Sequence, residues 1–459
     1  MNKHYEMDMT EGNLFLKMIR FSIPLILTGV LQLLYNAADL LVVSNFSGDK
    51  DALGAVGSTG SLINLIVNLF MGLSVGTNVL VARMYASKND EGMSRVVHTA
   101  IITSFVIGIG VGVFGIFTAR PLLHLMSNPI ELSIVYLRIY FIGLPFNLLY
   151  NFCAAILRGV GDTKRPLYFL SIAGLINFLL NLLFVIVFKM SVAGVALATI
   201  ISQFISCVLI IICLMKTKES YHFSFKKLNI STKELREMMR IGLPAGLQSS
   251  IFSISNVLIQ SSVNAFGATA INGNSAAQSL EGFVYTSMNS VYHASLSFTS
   301  QNLGARKTNN INKILIYSLI IVTMIGIIMG GAFFLLGRQL LSIYTRIADE
   351  INVGYIRLHY LTLVYFLCGI MDVTCGVIRG LGYAILPMIV SLVGACGLRI
   401  LWILFIFRPY TSFTNLTDLN MLYISYPISW IITFATHLIC FFICSKKVKR
   451  RLELSYNID

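Results

Sequence analysis

Apolar stretches of about 20 residues recur along the whole chain, separated by short polar segments. A helix of about 20 residues is long enough to cross the roughly 30 Å hydrocarbon layer of a bilayer. The pattern therefore predicts twelve membrane-spanning helices, over residues 18–43, 55–82, 96–118, 134–157, 166–188, 192–215, 241–266, 271–299, 312–336, 354–378, 387–407 and 421–444. The longest of these runs predict tilted helices or helical extensions beyond the lipid.

The amino-acid composition excludes a soluble fold. Hydrophobic residues make up 56% of the 459-residue chain and charged residues only 12%, whereas soluble domains carry about 25% charged residues. Too few polar residues are present to cover a soluble core of this size, and a lipid-facing surface removes that need. The predicted fold class is an all-α integral membrane protein.

The net charge of +14 is distributed in a way that indicates topology. Basic residues concentrate in alternate loops, in the central stretch 216–238 and in the tail segment 446–451, while the remaining loops hold few. The positive-inside rule then predicts a multi-pass protein of the plasma (inner) membrane with both termini cytoplasmic. Because the charge is split among short loops and forms no single face, nucleic-acid binding is a poor alternative. All eight cysteines fall inside predicted spans, where we interpret them as small packing residues.

The two halves of the chain resemble each other at an offset of about 220 residues. The strongest match is an Arg-Gly-x-Gly-x4-Pro element, formed by Arg158, Gly159, Gly161 and Pro166 and again by Arg379, Gly380, Gly382 and Pro387. Each copy joins the fourth and fifth spans of its half. The glycines suit a tight turn, the proline suits the first turn of the next helix, and the arginine suits a helix C-terminus.

This repeat predicts two pseudo-symmetric six-helix lobes. We assign residues 1–215 to an N-terminal lobe, 216–238 to a cytoplasmic linker, and 239–459 to a C-terminal lobe with a basic tail. Six spans per half is an even number, so the lobes are expected to be related by an axis along the membrane normal. A cleft between such lobes could open to alternate sides of the membrane.

Four charged residues lie well inside the predicted spans: Asp39, Glu281, Asp372 and Arg399. Charges at this depth are costly and need a structural or functional reason. Asp372 and Arg399 are on successive spans, so we predict that they form an ion pair in which Arg399 has a structural role.

Two of the carboxylates share a helical face with amides. The spacing i, i+4, i+7 applies to Gln32, Asn36 and Asp39, and again to Asn274, Gln278 and Glu281. A carboxylate in apolar surroundings retains its proton to higher pH, and it can also coordinate a hard cation. We predict an ion-coupling site formed by Asp39, Asn36 and Gln32, with Na⁺ as a possible ligand. For Glu281 and Asp372, ion coupling and substrate contact both stay open.

Further amides form stripes along the spans: Asn64/Asn68, Asn147/Asn151, Asn177/Asn181 and Asn256/Gln260/Asn264. One such pair alone fits helix packing. The stripes together with the carboxylates favour a polar cavity. We predict that this substrate cavity is lined by Glu281, Gln278, Asn274, Asp372, Asn64, Asn68, Asn151, Asn177, Asn256 and Gln260.

Catalytic motifs are missing from the sequence. There is no Walker-type phosphate loop, and the Gly-x-Gly at 159–161 lacks the strand-turn-helix context of a dinucleotide site. We therefore predict that the chain is not an enzyme and needs no cofactor.

Several of these elements together resemble the multidrug and toxic compound extrusion (MATE) family. They are the twelve spans in two halves, the Arg-Gly-x-Gly-x4-Pro element, Ala37-Ala38-Asp39 followed by Ala52-Leu53-Gly54-Ala55, and the segment 299–305. The resemblance implies export of amphiphilic organic cations in exchange for H⁺ or Na⁺, with Asp39 in the position of the acid implicated in coupling. Some subgroups also have a glutamate on the seventh helix. Residues 245–266 contain no acid, so Glu281 and Asp372 are the possible substitutes.

A flippase for a lipid-linked oligosaccharide and a membrane enzyme or channel are the alternatives. A flippase needs a basic cavity to hold phosphates, whereas acids outnumber arginine among the four mid-span charges, which favours the antiporter. The expected partners are a small amphiphilic organic cation, H⁺ or Na⁺, and membrane lipids, and the expected state is a monomer.

Overall fold

The computed structural model describes residues 5–46, 52–125, 131–411 and 415–456, and helices dominate every part of it. The first half contains α1 (Leu14–Phe46), α2 (Ala52–Ala86), α3 (Asp90–Leu125), α4 (Glu131–Gly159), α5 (Lys164–Leu182) and α6 (Ser191–Lys216). A π-helical turn over Leu183–Val187 extends α5. These six helices match the six spans predicted for this half.

The second half contains α7 (Thr232–Asn264), α8 (Ala268–Gly304), α9 (Asn309–Leu335), the short α10 (Gly337–Leu341), α11 (Ala348–Leu361) and α12 (Phe366–Gly380). It continues with α13 (Ile385–Ser391), α14 (Leu398–Trp402), α15 (Arg408–Tyr410), α16 (Leu419–Tyr423) and α17 (Ser425–Tyr456). Two π-helical turns, Leu392–Gly397 and Ile403–Phe407, join α13, α14 and α15 into one rod. The predicted linker 216–238 is partly helical, because α7 begins at Thr232.

Within the described residues, nine helical segments are long and apolar enough to cross a membrane, or ten if a bent pair counts as one span. The two remaining long helices, α7 and α8, have 33 and 37 residues but carry many serines, asparagines and glutamines. Their polar faces explain why hydropathy alone does not select them. The twelve-span, all-α fold class is therefore confirmed.

The tenth predicted span is a broken helix rather than a continuous one. A 3₁₀ turn over Thr362–Val364 separates α11 from α12, and the two segments are bent by 49°. The hydroxyl of Thr362 donates to the Leu358 carbonyl at 2.6 Å, a back-bond that bends helices. Gly330 of α9 leaves room for the Thr362 carbonyl, which would lie 2.1 Å from a Cβ at that glycine.

A glycine pair four residues apart forms the same close contact in both halves. In α3, a Cβ on Gly108 or Gly112 would lie 2.5 Å from Pro145 or 2.7 Å from the Phe141 carbonyl of α4. The equivalent glycines of α9 are Gly326 and Gly330, which allow the same approach to Phe366 and Thr362. Small residues at this spacing let membrane helices pack backbone to backbone. The two halves therefore repeat this helix–helix contact as well as the sequence elements.

The repeated turn element has the predicted geometry. Gly161 and Gly382 have φ of +95° and +97°, in the region that favours glycine. Pro166 and Pro387 are each the third residue of the following helix, α5 or α13. Gly159 and Gly380 allow close packing, because an added Cβ would lie 2.7 Å from Val81 or Thr299 respectively.

Two compact units make up the chain. The first contains residues 30–246 and the described residues up to Asp8, and the second contains residues 9–29 and 247–459. The start of α1 therefore belongs to the second unit and the start of α7 to the first. Met9, for example, accepts from Asn302 at 2.8 Å and donates to Gln301 at 3.1 Å. The lobe boundaries inferred from the sequence differ from these units at both helices and stay a prediction.

Candidate functional site

Three helices of the first unit meet at a polar cluster that we call the Asp39 cluster, formed by Asp39, Asn177, Asn181 and Thr199. The Asn181 side-chain nitrogen donates to the Asp39 carboxylate and, at 3.2 Å, to Oδ1 of Asn177. Asn177 in turn lies 3.5 Å from the hydroxyl of Thr199. The cluster therefore connects α1 to α5 and α6, next to an apolar core that includes Val43 and Val195.

One buried oxygen of the Asp39 cluster has no hydrogen-bond partner in the described part of the chain. Asn181 is fully buried, and its Oδ1 has no hydrogen-bond partner among the described residues. Buried polar atoms are normally paired, so an orphaned acceptor beside a carboxylate requires an explanation. A proton donor or a hard cation would satisfy both oxygens.

The structure separates the other amides of the first unit from this cluster. Gln32 and Asn36 lie on the exposed part of α1, and neither hydrogen-bonds to the cluster in the described residues. Asn64 is exposed and Asn68 partly buried. Asn151 donates to the Asn147 backbone at 2.8 Å and side chain at 3.1 Å, so this amide pair is satisfied within α4 itself.

The second unit contains a different arrangement around Glu281 of α8. Arg357 of α11 forms a bidentate ion pair with Glu281, with two N···O distances of 2.8 Å. Both residues are only 4% exposed. Glu281 is therefore neutralised by a fixed partner, which makes it a weak candidate for a free coupling carboxylate.

Amides and a tyrosine complete what we call the Arg357 network. Arg357 also donates to Oδ1 of Asn274 at 2.9 Å, and the Tyr423 hydroxyl donates to the same oxygen at 3.0 Å. Asn274 and Gln278 donate to Gln260 at 2.7 and 3.3 Å. Four predicted cavity residues, Glu281, Asn274, Gln278 and Gln260, are thus brought together. Asn256 lies apart on the exposed surface of α7.

The sequence reasoning did not single out Arg357 as a buried charge, because it lies near the edge of its predicted span. In the internal repeat, Arg357 corresponds to Arg138. Because Arg138 is exposed, the repeat does not indicate that Arg357 is buried. The available signal was Glu281, a glutamate inside the eighth predicted span for which no partner was predicted. Arg379 is likewise 5% exposed, and donates to the Tyr292 hydroxyl at 2.7 Å and to Gln248 at 2.6 Å.

The predicted ion pair between Asp372 and Arg399 is wrong. No carboxylate of the described residues lies within 4.0 Å of the Arg399 guanidinium. Nε of Arg399 donates instead to the Ser429 hydroxyl at 2.8 Å. The π-helical turn Leu392–Gly397 lies between the two predicted partners. It shifts the helical phase, so the face on which Arg399 lies does not follow from α-helical spacing.

Long apolar helices with ionisable clusters inside their spans define a polytopic membrane protein of the kind that includes transporters and channels. The MatE family model matches residues 24–183 and 244–405, one segment in each half of the chain. The chain therefore belongs to the MatE family of multidrug efflux transporters, as the resemblance predicted, and it is not an enzyme.

Named relatives agree with this assignment. The chain is 28% identical over 395 residues to the probable multidrug resistance protein YpnP of Bacillus subtilis, covering 85% of this chain and 88% of that protein. It is 24% identical over 396 residues to the probable multidrug resistance protein NorM of Thermotoga maritima, covering 82% of each. An outward-facing MATE transporter of the MOP superfamily has the same fold, with a TM-score of 0.88, 23% identity and coverage of 96% and 97%.

Proposed function

We propose that this protein is a secondary antiporter that exports amphiphilic organic compounds in exchange for H⁺ or Na⁺ by alternating access. The Asp39 cluster is the observation that supports the proposal. A carboxylate and an orphaned amide oxygen inside an apolar span form a site that a proton or a sodium ion can occupy and neutralise. The names of the relatives support small organic compounds as the cargo.

Exchange follows from competition for limited negative charge. In the second unit Glu281 is already paired with Arg357, which leaves Asp39 and Asp372 as the mid-span carboxylates without an ion-pair partner among the described residues. We favour Asp39 for the incoming cation, because the orphaned oxygen of Asn181 lies in the same cluster. A cationic substrate and a coupling ion cannot both be neutralised by one carboxylate at low cost in a low-dielectric interior. Binding of one species therefore promotes release of the other.

Transport by the purified protein in liposomes tests this function directly. A cationic fluorescent dye is either loaded into proteoliposomes in which the protein has the inverted orientation, or added to the outside. An imposed pH gradient or sodium gradient should then drive the dye against its own concentration gradient. Dissipating the effective gradient with an ionophore should stop the movement. Dye movement that follows only the dye's concentration difference under both gradients would exclude antiport.

We also propose the orientation in which both termini are cytoplasmic, supported by the basic stretch 216–238 and the basic tail. Lys226 lies in this stretch and is exposed. A cysteine at Lys226 should react with an impermeant thiol reagent in inverted vesicles and be protected in intact cells. Labelling in intact cells would reverse the proposed orientation.

The charge count that argued against the flippase alternative no longer holds, but a flippase gains no positive support. Buried Arg357 and Arg379 raise the number of arginines within the spans, so acids no longer outnumber them. Nevertheless, Arg357 is bound to Glu281 and Arg379 to Tyr292, which leaves no cluster of free arginines for a pyrophosphate among the described residues.

A further inference from the structure

The connection between α6 and α7 contains six consecutive exposed residues, 225–230, which we call the exposed loop. Three of its side chains are large and apolar: Phe225, Leu228 and Ile230 are 61%, 46% and 45% exposed. The loop lies outside the helices that are long and apolar enough to cross a membrane, so contact with lipid tails along a span does not explain this exposure. Three such side chains within six residues indicate a surface that binds another molecule.

The exposed loop is held in place at both ends by α3. Nε2 of His98 lies 3.2 Å from both the backbone nitrogen and the carbonyl oxygen of Ser224, immediately before the loop. The Thr99 hydroxyl accepts from the backbone N–H of Ser231, immediately after the loop, at 3.0 Å. Phe223 is buried against the His98 ring, with ring centroids 5.3 Å apart. The loop is therefore fixed on the protein, and its apolar side chains are a defined feature of the surface.

These attachments place the exposed loop at the depth of the lipid headgroups. After α6 the chain turns back, because the Phe223 backbone N–H donates to the carbonyl of Leu214, in the last turn of that helix, at 3.0 Å. On α3, the exposed apolar residues begin at Phe105, six residues and about 9 Å beyond Thr99 at 1.5 Å per residue. The headgroup layer on each side of the hydrocarbon is about 5–8 Å thick, so the loop lies beside it.

The exposed loop combines its apolar side chains with positive charge. Lys226 and Lys227 are both exposed, and the loop contains no acidic residue. Lysines at this depth attract anionic headgroups, and apolar side chains beside them enter the boundary between headgroups and acyl chains. A soluble partner protein would first have to displace the headgroups from this level, which favours the membrane surface itself as the ligand.

We propose that the exposed loop is an interfacial anchor that binds anionic phospholipid. Its three apolar side chains lie at the boundary of the acyl chains, and Lys226 and Lys227 contact the phosphates. The anchor attaches the connection between α6 and α7 to one surface of the bilayer. It gives the protein a dependence on lipid charge that involves neither the Asp39 cluster nor the transported compound, so it stands or falls independently of the proposed antiport.

Phe225→Trp measures the depth of the loop in nanodiscs of phosphatidylcholine and phosphatidylglycerol, after subtraction of the signal from Trp402 and Trp430 in the unsubstituted protein. Lipid brominated near the headgroup end of its acyl chains should quench the added tryptophan strongly, and acrylamide in the water should quench it weakly. The control is Asp90→Trp, at an exposed position nine residues and about 14 Å before Thr99 on α3, which should show the reverse. The same acrylamide-dominated pattern at Phe225→Trp would place the loop in water, available only to a soluble partner, and would overturn the proposal.

Two nanodiscs with equal parts of both lipids identify the preferred headgroup, because only the phosphatidylglycerol is brominated in one and only the phosphatidylcholine in the other. Brominated phosphatidylglycerol should quench Phe225→Trp at least about twofold more, and salt should reduce the difference by screening exposed charges. Lys226→Gln with Lys227→Gln should remove the difference. The matched control, Lys446→Gln with Lys447→Gln in the exposed basic tail, should leave it unchanged. Equal quenching by the two lipids, or a difference that survives the loop substitutions, would overturn the assignment to anionic lipid.

Discussion

Asp39→Asn is expected to abolish gradient-driven dye export while leaving the protein folded. The substitution keeps the size of the side chain and its capacity to accept from Asn181, but it removes the charge that a proton or sodium ion neutralises. Export should fall by at least about tenfold, toward the rate of empty liposomes, since coupling requires the charge itself. Transport in proteoliposomes under an imposed gradient measures this directly.

Two further variants make the result specific to the charge at this position. Asp39→Glu should retain part of the export, because the carboxylate is kept but displaced by one methylene. Asp349→Asn, at an exposed position near the start of α11, should export at the unchanged rate. If Asp39→Asn exported against a gradient as well as the unsubstituted protein, the coupling role would have to pass to Asp372, because Glu281 is bound to Arg357.

The second large effect concerns stability. Arg357→Gln leaves Glu281 buried without its bidentate partner, which should cost about 3–5 kcal/mol. The double variant Arg357→Gln with Glu281→Gln should be clearly less destabilised, because two amides can hydrogen-bond to each other and no charge remains buried. Thermal stability in detergent, measured as the fraction of protein that stays monodisperse after heating, ranks the unsubstituted protein, the single variant and the double variant by stability.

The chain offers a matched exposed pair as a control. Arg120 and Glu131 form an ion pair whose side chains are 56% and 70% exposed, so Arg120→Gln should cost no more than about 1 kcal/mol. A double variant at Glu281 and Arg357 as unstable as Arg357→Gln alone would mean that the cost arises from packing around the guanidinium and not from an unpaired carboxylate.

Elements governed by local chemistry were predictable. All of the spans except the polar α7 and α8 follow from hydropathy, and the turns at Gly161 and Gly382 follow from the need for positive φ. The bend between α11 and α12 could not be predicted from the sequence. Thr362 is compatible with a straight helix, and the bend depends on the close approach of its carbonyl to Gly330 of the neighbouring α9.

For the candidate sites, the sequence predicts which polar residues lie inside the spans better than it predicts which of them contact each other. Asp39 and Asn181 were each recognisable as polar groups inside a span, but nothing local indicates that α1 and α5 bring them together. Arg399 shows the limit most clearly. Its partner depends on the rotation of the helix about its own axis, and a π-helical turn changes that rotation without an evident signature in the sequence.

The glycine pairs that allow close packing of α3 on α4 and of α9 on the α11–α12 bend have an evolutionary implication. Gly108 and Gly112 recur 218 residues later as Gly326 and Gly330, whereas Asp39 has no acidic counterpart in 245–266. After a duplication, contacts between backbones tolerate almost no change, because any added atom collides with a neighbouring helix. Ionisable side chains meet no such limit, so one ancestral half-gene can give rise to an acidic cluster in one copy and a basic one in the other.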